Sequence, residues 1–457
     1  MQSENPMTAF PITQFSVFSL LGDKNYTLNV GGGASIIVGP NGAGKSNFLS
    51  ILYLVLSRQW AKLADFKFDS IYLRANDSDI RVSKDDILEV MSFVGDSPRF
   101  RSFYLHLVET NKIGSFIASD VVSYADQKQY SDMFRIPTGS VKTFHASLKA
   151  ELKDAKGLLA LESFIESLNL GLVIYMPTYR RIEKDLRAFI PDTDTIPRRP
   201  PVEKSPRSGS WIEVIGAGMG DVKKLIDLKI QSIAIAKQRT TERAAQEYIL
   251  DLVRGSISTF SLNRLKDIDE QSLISFIDSL DNSVFSQNER KQLKNKILSL
   301  RNRTKGQPKA EDRYLGLYVE KLVQAQERIS ALEEPLKRLS VLANKYIGVD
   351  KKFNFIASSR FTSVHRDQEE VELDGLSSGE KQVIAMFAYL ILSVDSNCVL
   401  VVDEPELSLS VPWQKTLLPD ILATDKCAHV FAVTHSPFIF ANNLRECLID
   451  TESMSAD

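Results

Sequence analysis

The sequence predicts an α/β fold: a mixed β-sheet with a phosphate-binding loop and an antiparallel edge, interrupted by a large helical insertion. The apolar run 34–38 is typical of a buried strand, and residues 46–52 after the glycine-rich loop have apolar side chains at helical spacing. The run 398–402 is continuously apolar, as a central parallel strand requires. The charged helical pattern of 217–347 separates the two parts of this sheet.

The loop 39–46 fits the pattern G-x-x-x-x-G-K-[ST] between a strand and a helix. Its glycines let successive backbone N–H groups curl around a phosphate, and the N-terminus of the next helix faces that phosphate. Lys45 would reach the β- and γ-phosphate oxygens, and the Ser46 hydroxyl would take one Mg²⁺ position. The sequence therefore predicts a site for ATP and Mg²⁺. Its candidate residues are Gly39, Pro40, Asn41, Gly42, Ala43, Gly44, Lys45, Ser46 and Asn47.

Polar side chains also follow two later strands. Asp403 and Glu404 end the apolar run 398–402, and His435 ends the run 429–434. An acid such as Asp403 at a strand tip can hold Mg²⁺, and the adjacent Glu404 can polarise an attacking water. A histidine at the end of a strand is more often structural than catalytic, so both a catalytic and a structural role remain open for His435.

A polar segment also precedes the apolar helix predicted over 383–390. Its candidate residues are Ser377, Ser378, Gly379 and Glu380. A serine before a helix is also the usual N-cap, so the segment has a structural alternative.

Phosphate loop, signature segment, acid pair and terminal histidine occur in an order that resembles the ATP-binding-cassette (ABC) ATPases. The resemblance implies an ABC-type head in which Ser377 and Gly379 contact the γ-phosphate of ATP held by a second subunit. It also implies Asp403 as the Mg²⁺-side acid, Glu404 as general base and His435 as switch histidine. ATP would then lie between two heads, so the active form would be at least a dimer.

The spacing distinguishes branches of this family. Ser46 and Leu376 lie 330 positions apart, much farther than in transporter cassettes, and no run of 18 apolar residues predicts a membrane span. Residues 376–381 look like the signature of chromosome-maintenance (SMC) and RecF-like repair ATPases. Residues 403–410 are similar to the D-E-P-E-x-x-L-H pattern of overcoming-lysogenization-defect (OLD) ATPases and their phage-defence relatives. Ser410 departs from it, which affects the expected coupling between the two ATP sites.

The apolar run 172–176 predicts a further core strand, and a pair of arginines follows it. If this strand joins the sheet, Arg180 and Arg181 could contact the γ-phosphate or the neighbouring subunit. Alternatively, they could pair with Glu183 and Asp185 in a surface turn. The P-T-Y-R-R-I-E segment resembles the PtuA-type ATPase subunit of Septu anti-phage systems.

Along the chain, strand patterns are expected at 11–30, 66–82 and 353–371, and helices over 84–170. The predicted domains are residues 1–190, the N-terminal part of the head; 191–216, a linker rich in Pro and Arg; 217–347, a helical insertion for oligomerisation or partner binding; and 348–457, the C-terminal part of the head.

Composition places few constraints on the partners. The net charge of −2 and pI near 6.3 give no overall attraction to nucleic acid. A run of basic residues at 290–309 could neutralise phosphates, although a solvated helix face or a protein-docking surface is the alternative. The three cysteines have no metal-ligand spacing and fit a reducing cytoplasm.

These features predict an ATPase and nucleotide sensor that forms oligomers and controls a separate HNH-type nuclease in a two-component bacterial anti-phage system. The alternatives are a PARIS-type defence ATPase with another effector, a RecF-like DNA-repair ATPase and, more distantly, a transporter cassette. We expect no nuclease activity of the chain itself, because the tail after His435 is short and the histidines have no metal-ligand spacing.

Overall fold

The structure, a computed structural model, describes most of the chain. The described residues are 10–92, 98–110, 112–119, 121–151, 156–177, 202–204, 211–214, 219–278, 280, 284–302, 309–356, 361–366, 369–394 and 397–455. The chain divides into two compact units. The head unit comprises Met1–Val222 and Asp374–Asp457, and the inserted unit comprises Lys223–Leu373.

The head unit contains a mixed sheet with the strand order β14-β3-β13-β12-β6-β8-β7. Its strands are β3 (Ala34–Val38), β6 (Leu172–Met176), β7 (Val202–Lys204), β8 (Trp211–Val214), β12 (Cys398–Asp403), β13 (Cys427–Val433) and β14 (Leu448–Asp450). All neighbouring pairs are parallel except β7 with β8. Because parallel strands end at the same edge, the segments that follow β3, β12, β13 and β6 meet there.

A second, antiparallel sheet of the head unit has the order β2-β1-β4-β5. Its strands are β1 (Ile12–Leu20), β2 (Lys24–Asn29), β4 (Ser70–Ala75) and β5 (Ser78–Ser83). This confirms the strand patterns expected at 11–30 and 66–82. With the mixed sheet and the helical insertion, it also confirms the predicted fold class.

Helices cover both sheets of the head unit. They are Lys45–Leu56, Trp60–Ala64, Lys84–Ser92, Pro98–Glu109, Ile113–Ala118, Tyr124–Phe134, Thr138–Glu151, Lys156–Ser167, Ser378–Leu392, Val411–Leu422 and Thr451–Met454. The helix Lys45–Leu56, which follows the phosphate loop, is buried along most of its length. It lies in one continuous apolar core with the antiparallel sheet, the helices between 84 and 167 and one face of the mixed sheet.

The inserted unit is mainly helical, as the charged pattern of 217–347 predicts. Its helices are Met219–Val253, which begins in the head unit, Glu270–Asp278, Gln287–Arg301 and Ala310–Ala343. A small antiparallel sheet follows, with β9 (Lys351–Ile356), β10 (Phe361–Arg366) and β11 (Glu369–Val371). The Asn344 side chain accepts from Phe353 N and donates to Phe353 O, both at 2.8 Å, and so fixes the end of the last helix to β9.

The structure departs from the predicted linker at 191–216. Two short strands, Val202–Lys204 and Trp211–Val214, extend the mixed sheet there. Trp211 and Ile212 are buried, and Trp211 packs into the apolar core of the head unit. Among the described residues, no helix combines the length and apolar character needed to cross a membrane.

Candidate nucleotide-binding site

The phosphate loop is shaped by glycines that no other residue could replace easily. Gly39, Gly42 and Gly44 have φ angles of 153°, 76° and 90°, where side chains are strained. A Cβ atom on Gly39 would also lie 2.0 Å from the Thr451 hydroxyl oxygen. The loop therefore passes close to the Thr451 side chain and turns sharply into the helix that begins at Lys45.

Two side chains of β2 donate hydrogen bonds to backbone carbonyl oxygens of the phosphate loop. Lys24 donates through Nζ to the carbonyl oxygen of Gly42 at 2.9 Å, and the Tyr26 hydroxyl donates to the carbonyl oxygen of Ala43 at 2.7 Å. Burial raises the pKa of the Tyr26 phenol, so it stays a donor through neutral pH. The antiparallel sheet thus helps to set the shape of the phosphate site, a contribution that the loop pattern alone does not indicate.

Lys45 is buried and its ammonium group faces the loop. It donates through Nζ to the carbonyl oxygens of Gly39 at 2.9 Å and Pro40 at 2.8 Å. An ammonium group has three protons, so a phosphate oxygen can accept the third. Burial lowers the pKa of Lys45, while the nearby carboxylates of Asp403 and Glu404 oppose that shift.

Ser46 and Asp403, which are 357 positions apart in the chain, meet at the edge of the sheet. The Ser46 hydroxyl donates to Asp403 Oδ1 at 3.2 Å. Asp403 is the last residue of β12 and is buried, whereas Ser46 is exposed at the start of its helix. A hydroxyl and a carboxylate oxygen at this separation are ligands of the kind that Mg²⁺ takes beside nucleotide phosphates. These two residues therefore fit the predicted magnesium position.

Glu404 and His435 follow adjacent parallel strands. Glu404 has a φ of 50°, and its backbone N–H donates to the carbonyl oxygen of Val433 at 2.8 Å. This left-handed turn at the strand tip directs the chain away from the sheet and leaves the Glu404 side chain half-buried. His435 is exposed.

The loop and the strand tips enclose a cavity of about 770 Å³, which is large enough for a nucleotide. It is lined by Asn41, Gly42, Gly44, Lys45, Ser46, Asn47, Glu404, Glu406, Leu407, His435 and Ser436. The structure therefore brings six of the predicted loop residues together with Glu404 and His435. Asp403 does not line the cavity but accepts a hydrogen bond from Ser46, which does. Their roles in catalysis remain predictions.

Glu406 also lines the cavity, although its sequence pattern assigns it no role. Its carboxylate accepts from the Thr434 hydroxyl at 2.8 Å and from the backbone N–H groups of His435 at 2.7 Å and Ser436 at 3.2 Å. The partners lie about thirty positions away in the sequence, so only the parallel pairing of β12 with β13 brings them together. In the sequence, the D-E-P-E pattern at 403–406 includes Glu406 but does not indicate these partners.

The signature segment begins the helix Ser378–Leu392. Ser377 is its N-cap, and Ser377 and Glu380 form a capping box in which Ser377 N donates to Glu380 Oε2 at 2.7 Å. Gly379 packs so closely that a Cβ atom there would lie 2.3 Å from the carbonyl oxygen of Ser408. Ser377 and Ser378 are exposed and do not line the cavity. The N-cap alternative is correct for Ser377, and contact with ATP of a second subunit remains a prediction.

Arg180 and Arg181 lie outside the described residues. The strand on which their prediction depends does join the sheet, because Met176 of β6 pairs with Val402 of β12. The end of β6 therefore lies beside the acidic tip of β12.

The basic run 290–309 is partly neutralised within the inserted unit. Lys296 forms an ion pair with Asp312 at 2.7 Å, and Arg301 pairs with Glu270 at 3.1 Å. Arg303 and Lys305 are outside the described residues. Because part of its charge is already paired, the run is a weaker candidate for phosphate contact than its sequence indicates.

One comparison with known proteins, a match to a family model, agrees with an ATPase assignment. Residues 232–441, less than half of the chain, match a family described as "AAA domain, putative AbiEii toxin, Type IV TA system". No curated protein matches the sequence significantly.

Solved structures that are similar include the Smc head domain of Pyrococcus furiosus with an extended coiled coil, bound to the C-terminal domain of ScpA. It has 12% identity, a TM-score of 0.33, and coverage of 94% of this chain and 91% of that chain. A second is the Smc head domain of Pyrococcus yayanosii with a coiled coil and joint: 16% identity, a TM-score of 0.32, and coverage of 94% and 93%. Scores this low support no inference about function.

The candidate site combines a phosphate loop from the N-terminal part of the chain with an acidic strand tip from the C-terminal part. The C-terminal part lies within the region that matches the AAA-domain family model, and the arrangement is that of a P-loop ATPase domain.

Proposed function

We propose that the chain binds and hydrolyses ATP with Mg²⁺ at the cavity between the phosphate loop and the tips of β12 and β13. The observation that carries this proposal is the 3.2 Å contact between the Ser46 hydroxyl and Asp403 Oδ1. It joins the loop to the acidic strand tip, where Ser46 and Asp403 would hold Mg²⁺ beside the nucleotide phosphates.

Each side chain has a distinct task in this proposal. Lys45 and the loop amides bind the phosphates, and Ser46 and Asp403 hold Mg²⁺. Glu404 accepts a proton from the attacking water, and His435 contacts the transferred phosphoryl group. Glu404 and His435 both line the cavity, which supports these roles.

Two substitutions test the proposal. Lys45→Ala should abolish binding of a fluorescent ATP analogue, and Glu404→Gln should keep binding but slow phosphate release strongly, because an amide cannot act as a base. Lys128→Ala, at an exposed helical position, is the control. Unchanged affinity in Lys45→Ala, or turnover at the parental rate in Glu404→Gln, would show that the site is assigned wrongly.

We further propose that the protein is the ATPase and nucleotide sensor of a two-component bacterial anti-phage system of the Septu type. It would pair head to head, form a homo-oligomer and control a separate HNH-type nuclease. Support comes from the D-E-P-E pattern at 403–406, the P-T-Y-R-R-I-E segment and the large helical insertion. The matched family's description as a putative toxin of a toxin–antitoxin system fits a defence setting.

Co-purification from the native host tests the partner. A stable complex with a small HNH-type nuclease would support the proposal, and a different effector would favour a PARIS-type system. Salt-sensitive DNA binding by the isolated chain, without any partner, would favour a RecF-like repair role. The purified chain alone, given plasmid DNA with Mg²⁺ or Mn²⁺, should cleave nothing. Cleavage that persists in Lys45→Ala would overturn the two-component proposal.

A further inference from the structure

We propose that Glu406 is a positioning residue that sets the place of His435 through the backbone of 434–436. The inference rests on the ATPase function proposed above and assigns a task to a carboxylate in the cavity that the ATP-binding and hydrolysis roles do not use.

The contacts of Glu406 are directed at one short segment. Oε2 accepts from the Thr434 hydroxyl, and Oε1 accepts from the N–H groups of both His435 and Ser436. Hydrogen bonds to a charged acceptor are stronger than neutral ones. Three of them on consecutive residues fix the direction in which the chain leaves β13, and with it the starting point of the exposed His435 side chain.

Further hydrogen bonds extend this arrangement to the segment after Glu406. The Ser436 hydroxyl donates to Gln414 Oε1 at 2.5 Å, and Gln414 Nε2 donates to the carbonyl oxygen of Leu409 at 2.9 Å. Residues 406–409 and 434–436 are therefore joined at two places, by Glu406 and by Gln414. A shift of either segment would move the other.

Removing the charge of Glu406 should have different effects on ATP binding and on the position of His435, so the two roles can be distinguished. A carboxylate in a cavity that receives a polyanion opposes nucleotide binding unless donors offset its charge, and here the donors come from 434–436. Replacing Glu406 with glutamine removes the negative charge, so ATP affinity should not fall. The same change replaces three hydrogen bonds to a charged acceptor by neutral ones, since the amide oxygen can still accept from the two N–H groups and the NH₂ can donate to the Thr434 hydroxyl oxygen. Neutral hydrogen bonds are weaker, so the segment 434–436 is held less firmly.

The experiment compares Glu406→Gln with the exposed control Glu446→Gln in the full chain. We expect kcat to fall by about 10- to 100-fold in Glu406→Gln, because small displacements of reacting groups have effects of this size. KM should change less than about threefold, in contrast to the loss of binding that Lys45→Ala produces. Glu446→Gln should match the wild type.

Hydrogen exchange reports the contacts directly and needs no ATP turnover. The amide of His435 should exchange faster in Glu406→Gln than in the wild type, while β13 stays protected. The Ser436 amide should change less, because it also donates to the Thr434 hydroxyl oxygen at 3.0 Å. Thr434→Val removes the hydroxyl that donates to Glu406 and accepts from the Ser436 N–H at 3.0 Å, so it should lower kcat in the same direction. Thr434→Ser, which keeps the hydroxyl, should retain more turnover.

Unchanged kcat and unchanged exchange at His435 and Ser436 in Glu406→Gln would overturn the inference. Faster exchange throughout β13 would also overturn it, since Glu406 would then only stabilise the fold. A wild-type chain that does not hydrolyse ATP would instead refute the proposed function and the catalytic part of this inference together.

Discussion

Replacing Gly379 with alanine should destabilise the head unit, whether or not nucleotide is bound. Its Cβ atom would lie 2.3 Å from the carbonyl oxygen of Ser408, and a contact this short cannot be accommodated without movement. The obstacle is backbone rather than a flexible side chain, and Ser408 is itself constrained by a φ of 63°. The segment after the acidic strand tip would therefore have to shift.

The magnitude follows from two opposed effects. Overpacking a close contact typically costs about 1–3 kcal/mol. Alanine favours a helix over glycine by about 1 kcal/mol in a helix interior, and by less here because Gly379 lies in the first turn of Ser378–Leu392. The clash exceeds the gain in helix propensity, so we expect a net loss of about 1–2 kcal/mol in the free energy of unfolding.

Urea unfolding without nucleotide, followed by circular dichroism, measures this loss. Ser378→Ala is the matched control, because Ser378 is the exposed neighbour in the same turn. A difference between Gly379→Ala and wild type below about 0.5 kcal/mol would refute the packing argument. If the loss is found, a bulky residue at Gly379 cannot test head-to-head pairing, since unfolding would mimic a pairing defect. A bulky residue at Ser378 is then the cleaner test.

Two further predictions concern pH and the phosphate loop. Burial lowers the pKa of His429 to about 4 from 6.5, so only the unfolded chain gains this proton between those values. Stability should therefore fall by roughly 3 kcal/mol as pH drops through that window. Burial raises the pKa of Glu162 to about 7, so this group alone would make the protein more stable as the pH falls, the opposite of His429. Urea unfolding curves of His429→Gln and Glu162→Gln, each compared with wild type over this pH range, separate the two contributions. Tyr26→Phe should weaken ATP-analogue binding severalfold, because the buried carbonyl of Ala43 loses its donor at an expected cost of about 1 kcal/mol, whereas the exposed Tyr124→Phe should not.

The nucleotide site could be anticipated where local pattern and chemistry coincide. A glycine-rich loop between strand and helix needs only its own backbone to form a phosphate site, so 39–46 is recognisable in isolation. Continuous apolar runs predict β12 and β13, and the acids and histidine at their ends fall at one edge once the strands are parallel. The meeting of Ser46 and Asp403 follows from that topology.

The parts that could not be anticipated depend on contacts between distant backbone segments. Glu406 acquires its partners only through the pairing of β12 and β13, and the requirement for Gly379 comes from the carbonyl of Ser408. Apart from the Thr434 hydroxyl, these partners are backbone groups, which leave no residue pattern in the sequence. The strand Trp211–Val214 follows a proline-rich segment that predicts a linker, and its place in the sheet depends on pairing with the distant strand β6.

The charges of the residues that line the cavity indicate that Mg²⁺ and backbone N–H groups contribute most of the attraction for ATP. Glu404 and Glu406 line the cavity and Asp403 borders it through Ser46, against the single side-chain cation Lys45 among the residues that line it. Among the described residues, side-chain charge alone therefore opposes the entry of a polyanion. The N-terminus of the helix Lys45–Leu56 and the loop amides contribute positive potential, and Mg²⁺ held by Ser46 and Asp403 would supply two more charges. ATP without Mg²⁺ should consequently bind much more weakly than Mg–ATP, and Asp403→Ala should remove most of that difference.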